Sequence, residues 1–392
     1  MFQNIQHLLK KYFSPPDPLP PGIHHFQAPP DADFPYRLHL RIEQNGEGVL
    51  ILNAATILHL NQTAAEYAYH LIQGDNDEDT AAQIAKRFQI NKKKALEDYL
   101  NLKDRLSTLI NTPDLDPVTY LGFEHDNMYS IEFTAPLRLD CALTYRMVDT
   151  PTIGAPVDRV THELNFDEWK TILDKAWQAG IPHIIFTGGE PTLRPDLPDL
   201  IEYAESLGMV TGVLSDGLQF TKREFFTKVL NSGIDHLMLV LDPQNESSWT
   251  ALQATLAEDL HVTVHLTVTQ QIRAQLPDLL KRLAEMQVKA LSLSESDTSL
   301  KDALIQAREL AAHYLIPLIW DLPVPYSRLN PIELELEEET SRFEGTGRAW
   351  LYVEPDGDVL PGQGINKVLG NLLTDPWEQV LEQARKSIQV RE

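Results

Sequence analysis

Short apolar runs recur along the middle of the chain at a nearly constant interval. After the first gap they return roughly every 26 or 27 residues, the length of a strand, a turn and a helix together. Runs such as HLMLVLD and VTVHLTV are almost continuously apolar, as strands covered on both faces must be. The runs begin near Pro136, His183, Met209, His236, Val262, Ala290 and Ile316. This repeat predicts successive βα units around one parallel sheet, closed as a full or a partial barrel.

Helix signals fill the segments between these runs. Residues 165–168 (NFDE) form a capping box, and the apolar stripe that follows it includes Trp169 and Ile172 and ends before Gly180. Residues 221–224 (TKRE) predict a second capping box. In such folds the functional sites lie at the carboxyl ends of the strands, so candidate residues are expected there.

The N-terminal part of the chain predicts a small separate domain. Residues 1–13 predict an amphipathic helix, and the proline-rich residues 14–22 predict a semi-rigid spacer. Residues 36–53 alternate with period two around a turn at residues 45–48, which predicts a β-hairpin. Helical spacing follows in residues 62–73, 79–88 and 91–109. This region offers no nucleophile with a nearby base and no metal-ligand spacing, so binding is its expected role.

Beyond Asp321 the pattern changes. The acidic residues 333–339 predict a solvated face, and the turn residues 355–357 (PDG) predict a second hairpin. A final helix is expected after Thr374.

Charge and cysteine content exclude several classes of function. The chain has 33 basic and 57 acidic residues, a formal net charge of −24, so its field repels nucleic acid. No apolar run is long enough to span a bilayer, and we expect a cytoplasmic protein. The single cysteine, Cys141, excludes internal disulfides and any metal site that needs three or four cysteines of one chain.

The segment Gly188, Gly189, Glu190 and Pro191 lies where the second repeated strand ends. Two glycines allow a sharp turn and close approach of a ligand to the backbone, and the Glu190 carboxylate suits an ammonium group. A tight strand-to-helix turn with an exposed glutamate would explain the same residues, and the chemistry alone leaves both interpretations open.

This GGEP segment, preceded by a cysteine-bearing segment at the first strand, resembles the radical S-adenosylmethionine (SAM) enzymes. In that family a C-x₃-C-x₂-C loop after the first strand holds a [4Fe–4S] cluster, and GGEP contacts the amino group of SAM. Residues 137–148, which include Cys141, occupy the corresponding place here. Residues 214–217 (LSDG) and 239–242 (LVLD) add further resemblance at the third and fourth strands. The resemblance implies an α/β fold with a partial (β/α)6 TIM-like barrel of the radical SAM type.

Both flanking regions resemble companions of that family. Residues 48–109 are similar to PqqD-like, winged-helix-type domains that recognise peptides, and residues 345–382 resemble the C-terminal SPASM extension. We therefore expect an N-terminal helix and linker (1–30), a PqqD-like peptide-binding domain (31–114), a radical-SAM-like barrel (115–323) and a SPASM-like extension (324–392).

Departures from the family pattern decide the expected chemistry. Cys141 matches the first ligand position, but Tyr145 and Val148 stand at the second and third, and Gly362 replaces the cysteine of the extension. One thiolate cannot hold the cluster, because valine offers no donor atom. We therefore predict no catalytic residue, no metal, no iron–sulfur cluster and no cofactor, with residues 188–191 as a vestigial SAM-type site. Binding of SAM or another amino-bearing ligand at Glu190 is kept as an alternative.

The remaining candidates are weaker. The 13 histidines show no metal-binding helical spacing, and Ser215 and Asp216 lack the G-x-S-x-G elbow of a hydrolase. No neighbouring motif activates Cys141, which predicts a buried structural thiol.

These observations predict a binding protein in the maturation of a ribosomal peptide or a cofactor. A peptide would add as a strand to the hairpin edge near residues 38–52, and the barrel would act as scaffold or regulatory partner of an active enzyme. Two alternatives stay open: an enzyme with cluster-independent chemistry and a nucleotide or methyl donor near Glu190, and a radical SAM enzyme completed by a partner chain.

Overall fold

The computed structural model describes residues 19–29, 32, 36–54, 56–112, 134–147, 160–319 and 345–389. The chain divides into two compact units, residues 1–130 and 131–392, and each is described by itself. The predictions for the helix of residues 1–13, for Val148 and for the acidic residues 333–339 lie outside the described residues.

A four-stranded antiparallel sheet forms the first unit. Its strands, in spatial order, are β1 (Gly22–Gln27), β2 (Arg37–Ile42), β3 (Gly48–Leu52) and β4 (Thr56–Leu60). The predicted hairpin is β2 and β3, in which Leu40 lies opposite Leu50. Strand β1 lies within the region predicted to be helix and linker (residues 1–30) and pairs with β2. The prolines on either side of this short strand led to the linker prediction.

Three helices follow the sheet: α1 (Gln62–Gln73), α2 (Asp77–Phe88) and α3 (Lys92–Asn111). Helices α1 and α3 pack on one face of the sheet, and α2 packs on these two helices. Each begins behind an asparagine whose side chain accepts a backbone N–H of the first turn, which satisfies one of the donors that a helix start leaves open. Leu40, Leu50 and Leu58 of the sheet pack with Ala65 and Ala68 of α1 in one buried core.

Six parallel strands form the centre of the second unit and follow one another in chain order across the sheet. They are β5 (Arg138–Thr144), β6 (His183–Gly188), β7 (Val210–Ser215), β8 (His236–Val240), β9 (His261–Val268) and β10 (Leu291–Glu295). This arrangement, with a helix after each strand from β6 onward, confirms the predicted α/β fold with a partial TIM-like barrel.

The helices that pack on these strands are α4 (Phe166–Gln178), α5 (Leu197–Leu207), α6 (Arg223–Asn231), α7 (Glu246–Leu256), α8 (Leu276–Glu285) and α9 (Lys301–His313). The capping box at Asn165 and Glu168 is confirmed. The predicted capping box at Thr221 is wrong: the Thr221 hydroxyl donates to the carbonyl of Leu218 in a short 3₁₀ turn, and α6 begins afterwards.

The C-terminal segment continues the barrel sheet. Strand β11 (Trp350–Val353) pairs in parallel with β5 and forms the predicted hairpin with β12 (Asp358–Leu360), and β13 (Gly370–Asn371) follows. The Lys175 ammonium of α4 donates to the carbonyls of Leu372, Leu373 and Asp375 at 2.5, 3.2 and 3.1 Å, ahead of the last helix, α10 (Trp377–Gln389). These bonds fix the segment against the barrel.

No helix among the residues that the structure describes is both long enough and apolar enough to cross a membrane.

Candidate functional site at the strand ends

The two glycines after β6 are required by the close approach of the chain that follows β5. The N–H groups of Gly189 and Glu190 donate to the carbonyls of Thr144 and Arg146 at 2.7 and 2.8 Å. A Cβ on Gly188, whose φ is 120°, would lie 2.1 Å from the Thr144 carbonyl oxygen, and one on Gly189 would lie 2.4 Å from that of Arg146. Only glycine fits at these two positions, because backbone atoms cannot move aside as a side chain could.

Glu190 is buried, with 2% of its surface exposed, and its carboxylate is surrounded by donors of the protein itself. It accepts hydrogen bonds from the Thr192 N–H at 2.9 Å and from the Thr192 hydroxyl. Ser215 Oγ and the Asp216 N–H also donate to it, each at 2.8 Å. Oε1 receives three of these donors and Oε2 one, so the four bonds fix the carboxyl group in place and leave acceptor capacity at Oε2.

Burial raises the pKa of Glu190 to about 8, with the charge of nearby Asp216 acting in the same direction. The bonds from Thr192 and Asp216 oppose this shift without reversing it. A carboxyl group with this pKa holds its proton through much of the neutral range.

Charged side chains flank the segment at the end of β5. Glu163 accepts hydrogen bonds from the Thr144 hydroxyl and from the Arg146 guanidinium, the latter at 3.0 and 3.2 Å. Pro191 is buried at the start of a short 3₁₀ turn. After that turn, the Arg194 guanidinium donates to the carbonyl of Leu164 at 2.6 Å. The predicted site residues 188–191 are therefore fixed from both sides by the chain's own polar groups.

Cys141 lies inside strand β5 and not in the segment that follows it, since the strand continues to Thr144. Its side chain is fully buried in the apolar core together with Leu139, Leu143 and Phe186. Burial raises the pKa of the Cys141 thiol well above its ordinary value, and this disfavours the thiolate form that ligates metals.

The Tyr145 side chain is buried within the second unit and contacts the C-terminal hairpin. Its hydroxyl donates to the Glu354 carboxylate at 3.0 Å, and its ring packs with Ala142, Tyr352 and Leu360. Burial raises the pKa of Tyr145 well above its ordinary value, so the phenol stays protonated. The position expected for a second cluster ligand is thus occupied by a packed phenol.

Gly362, at the place expected for a cysteine of the extension, is also enclosed. A Cβ there would lie 2.7 Å from the Thr346 methyl carbon, so a larger side chain would require that threonine to move.

A buried polar group between strands β9 and β10 was not predicted from the sequence. His265 Nδ1 lies 3.0 Å from Ser292 Oγ, and its Nε2 lies 3.1 and 3.2 Å from the hydroxyls of Ser294 and Thr267. Burial lowers the pKa of His265 to about 3, so the ring is neutral at physiological pH. The polar residues that alternate along HVTVHLTV could have indicated this group. From sequence alone, the segment is interpreted only as an apolar strand.

Comparisons with known proteins agree with this fold. Residues 144–246 match the Radical SAM superfamily. The chain is 24% identical to the PqqA peptide cyclase of Bradyrhizobium diazoefficiens over 279 residues, which are 61% of this chain and 69% of that protein. It is 25% identical to the PqqA peptide cyclase of Streptomyces rochei over 58% of this chain and 69% of that protein.

Solved structures resemble the chain over most of its length. The structure of Streptococcus suis SuiB bound to S-adenosylmethionine matches it with a TM-score of 0.56 and 14% identity, covering 88% of this chain and 86% of SuiB. SuiB bound to its precursor peptide SuiA matches with a TM-score of 0.54 and 14% identity, covering 85% and 84% of the two chains. The barrel fold is therefore that of radical SAM proteins.

The comparisons correct the expectation about cofactors. The prediction that the chain takes no cofactor and no iron–sulfur cluster is wrong on this evidence, because it matches the Radical SAM superfamily and a structural neighbour has S-adenosylmethionine bound. Two residues nevertheless do not fit the roles that the resemblance implies. Cys141 lies before the matched range, inside a strand and facing apolar side chains, and the Glu190 carboxylate already accepts hydrogen bonds from Thr192, Ser215 and Asp216. We assign neither of them to a bound group and derive no catalytic step from them.

Proposed function

We propose that this chain recognises a ribosomally made precursor peptide and serves as its binding partner during maturation. The observation that carries the proposal is the match to SuiB in complex with its precursor peptide, which extends over 85% of this chain and therefore includes residues of both units. The similarity to PqqA peptide cyclases supports the same class of substrate.

The first unit supplies a surface suited to an extended peptide. The strand addition expected near residues 38–52 cannot take place there, because β2 and β3 are the inner strands and each is paired on both sides. Among the described residues, β4 pairs only with β3 and leaves its other edge open. An open edge offers backbone N–H and C=O groups to a peptide strand.

We place the peptide on β4 and not on the opposite edge strand, β1. Strand β4 runs into α1 through Asn61, whose side chain accepts the Ala64 N–H at 2.9 Å and so fixes the end of the strand. Strand β1 instead lies between two proline-containing segments. Proline lacks a backbone N–H, so a peptide strand would gain fewer hydrogen bonds beyond the ends of β1.

We further propose that the barrel is a scaffold and that the chemical step belongs to a partner enzyme. The support is that the bonds of residues 188–191 tie β5, β6 and β7 together, and that Tyr145, at the place of an expected cluster ligand, is hydrogen-bonded to Glu354. In this proposal residues 188–191 have a structural role at the end of the barrel sheet.

A titration of the full chain tests the peptide proposal. Fluorescently labelled SuiA, PqqA and the precursor-like peptides encoded beside this chain's gene are added, and anisotropy is recorded. We expect saturable binding of at least one of the neighbouring peptides. The absence of saturable binding to every one of them would refute the proposal.

Matched variants locate the binding edge. His59→Pro removes an N–H from β4, and His25→Pro makes the same change in β1. We expect binding to weaken at least tenfold in the first variant and to stay unchanged in the second. Equal losses in two folded variants would reject the assignment to β4. The scaffold proposal fails if the chain alone, given SAM and a reductant, changes the mass of the bound peptide.

A further inference from the structure

Helix α9 lies at one end of the barrel wall. It follows β10, the last of the six parallel strands, and packs on β10 and on the preceding helix, α8. Its side chains Ala303, Ala307 and Ala311 are buried in the core of the second unit. The opposite face of the helix is therefore turned to solvent.

Ile305 lies at the centre of this exposed face. It is two positions from the buried Ala303, about 200° around the helix, and 51% of its surface is exposed. Ala312, seven positions further along, lies within about 20° of the same direction and is exposed as well. Ile305 and Ala312 thus form an apolar line along α9. Single exposed apolar residues are common on protein surfaces, so the charges beside this line decide what it can bind.

Charges of opposite sign lie on the two sides of the apolar line. Lys301 and Arg308 are seven positions apart and lie on one side of it. Asp302 and Glu309 have the same spacing and lie on the other side. Three of the four residues are exposed, and Arg308 is half-buried. The exposed face of α9 therefore has a basic side, an apolar centre and an acidic side.

Other exposed helices pair their charges internally. Lys94 and Asp98 of α3 form an ion pair four positions apart, as do Glu224 and Lys228 of α6. Lys301 and Asp302 have no such partner in α9, because the residues four positions after them are uncharged. Spacing by seven, with an apolar line between charged sides, is the pattern with which helices associate in pairs.

A second copy of the same face fits this pattern. If two α9 helices pack in parallel around a two-fold axis that runs along them, Ile305 meets Ile305, and the basic side of each helix faces the acidic side of the other. Lys301 then lies beside Asp302 of the partner subunit. An antiparallel pair would bring the two basic sides together, which is repulsive.

We propose that the exposed face of α9 is a self-association surface through which two copies of this chain pair with their α9 helices parallel. The proposal does not depend on the peptide recognition proposed above, since α9 belongs to the second unit and the β4 edge to the first.

Sedimentation velocity of the full chain tests this surface. A single helix pair buries less area than a standard interface, so we expect weak dimerisation, seen as a rise of the weight-average sedimentation coefficient between about 1 and about 100 µM. Ile305→Asp should abolish the rise, because it places two carboxylates at the centre of the interface. Gln306→Asp, at an exposed position of the same helix beside the apolar line, is the matched control and should retain it.

Exchange of charges tests the pairing of the two sides. Lys301→Glu and Asp302→Lys each place like charges across the interface, and the two-fold axis repeats the repulsion. Either variant alone should dimerise more weakly than the wild type, by about tenfold or more in Kd. An equal mixture of the two variants should dimerise again, because every contact between positions 301 and 302 then joins opposite charges.

A wild-type chain that stays monomeric at about 100 µM would overturn the proposal, even if another protein binds α9. Dimerisation that persists in Ile305→Asp would do the same. A mixture of the two charge variants that is no more dimeric than its components would reject the parallel pairing.

Discussion

Ser215 Oγ donates a hydrogen bond of 2.8 Å to the Glu190 carboxylate and thereby joins the ends of two neighbouring strands, β7 and β6. The same hydroxyl accepts the Gly217 N–H at 2.9 Å, so one serine links the turn after β7 to the glutamate after β6. The glutamate that the sequence suggested for a ligand takes part in the internal bonding of the barrel end.

The raised pKa of Glu190 predicts how stability changes with pH. The folded chain holds the Glu190 proton up to about pH 8, whereas the unfolded chain loses it near its ordinary pKa of 4.5. Between these values the folded state binds more protons, so the free energy of unfolding falls as pH rises, by at most about 1.4 kcal/mol per pH unit. Denaturant titrations across this range should show the decline.

Glu190→Gln should flatten that decline, because glutamine has no proton to release. Glu202→Gln, on an exposed position of α5, is the matched control and should leave the slope unchanged. A Glu190→Gln protein with the wild-type slope would show that other groups cause the pH dependence.

Alanine substitutions at two glycines with positive φ should separate backbone strain from steric conflict. Gly188 and Gly74 have φ values of 120° and 72°, but a Cβ meets nothing within 4 Å at Gly74 and lies 2.1 Å from the Thr144 carbonyl oxygen at Gly188. We expect Gly74→Ala to cost about 1 kcal/mol of stability and Gly188→Ala about 3 kcal/mol or more. Equal costs in chemical denaturation would contradict the close contact between β5 and β6.

His236 and Gly212 should be coupled energetically. A Cβ on Gly212 would lie 2.1 Å from the His236 ring, whose Nε2 is 2.7 Å from Nε2 of His183 and therefore cannot move freely. Gly212→Ala should destabilise the chain by about 1–3 kcal/mol, and much of this cost should disappear in a His236→Ala background. Additive effects in the double-mutant cycle would rule out the contact.

The Cys141 thiol should be unreactive in the folded chain. It is fully buried, and burial raises its pKa, so little thiolate is available to an alkylating reagent. Labelling with iodoacetamide at neutral pH should proceed at the rate of unfolding and become rapid in denaturant. Rapid labelling of the native protein would place Cys141 outside the core.

The periodic parts of the fold could be predicted because burial imposes the pattern directly. Continuous apolar runs such as residues 236–240 identified the parallel strands, and the Asn165 capping box identified the start of α4. Strand β1 was not predicted from the sequence. It is defined by its pairing with β2, and no pattern within residues 22–27 reveals that pairing.

The sequence predicted where the candidate site lies, but it did not predict the hydrogen bonds that its residues make. The segment GGEP marked the end of β6, yet the donors to Glu190 come in part from Ser215 and Asp216 on the next strand. Likewise, the hydrogen bond between Tyr145 and Glu354 joins residues more than two hundred positions apart in the chain. The pairing of β5 with β11 brings them together. Contacts of this kind depend on tertiary structure, which spacing within one segment does not encode.

The proposed recognition of a peptide is tested most directly by amide exchange of β4 in the complete chain, with and without a saturating neighbouring precursor peptide. If the peptide adds as a strand to the open edge, exchange in Thr56–Leu60 slows on binding while exchange in Gly22–Gln27 is unchanged. A bound peptide that leaves β4 exchange unaltered, or that protects β1 instead, would contradict the account.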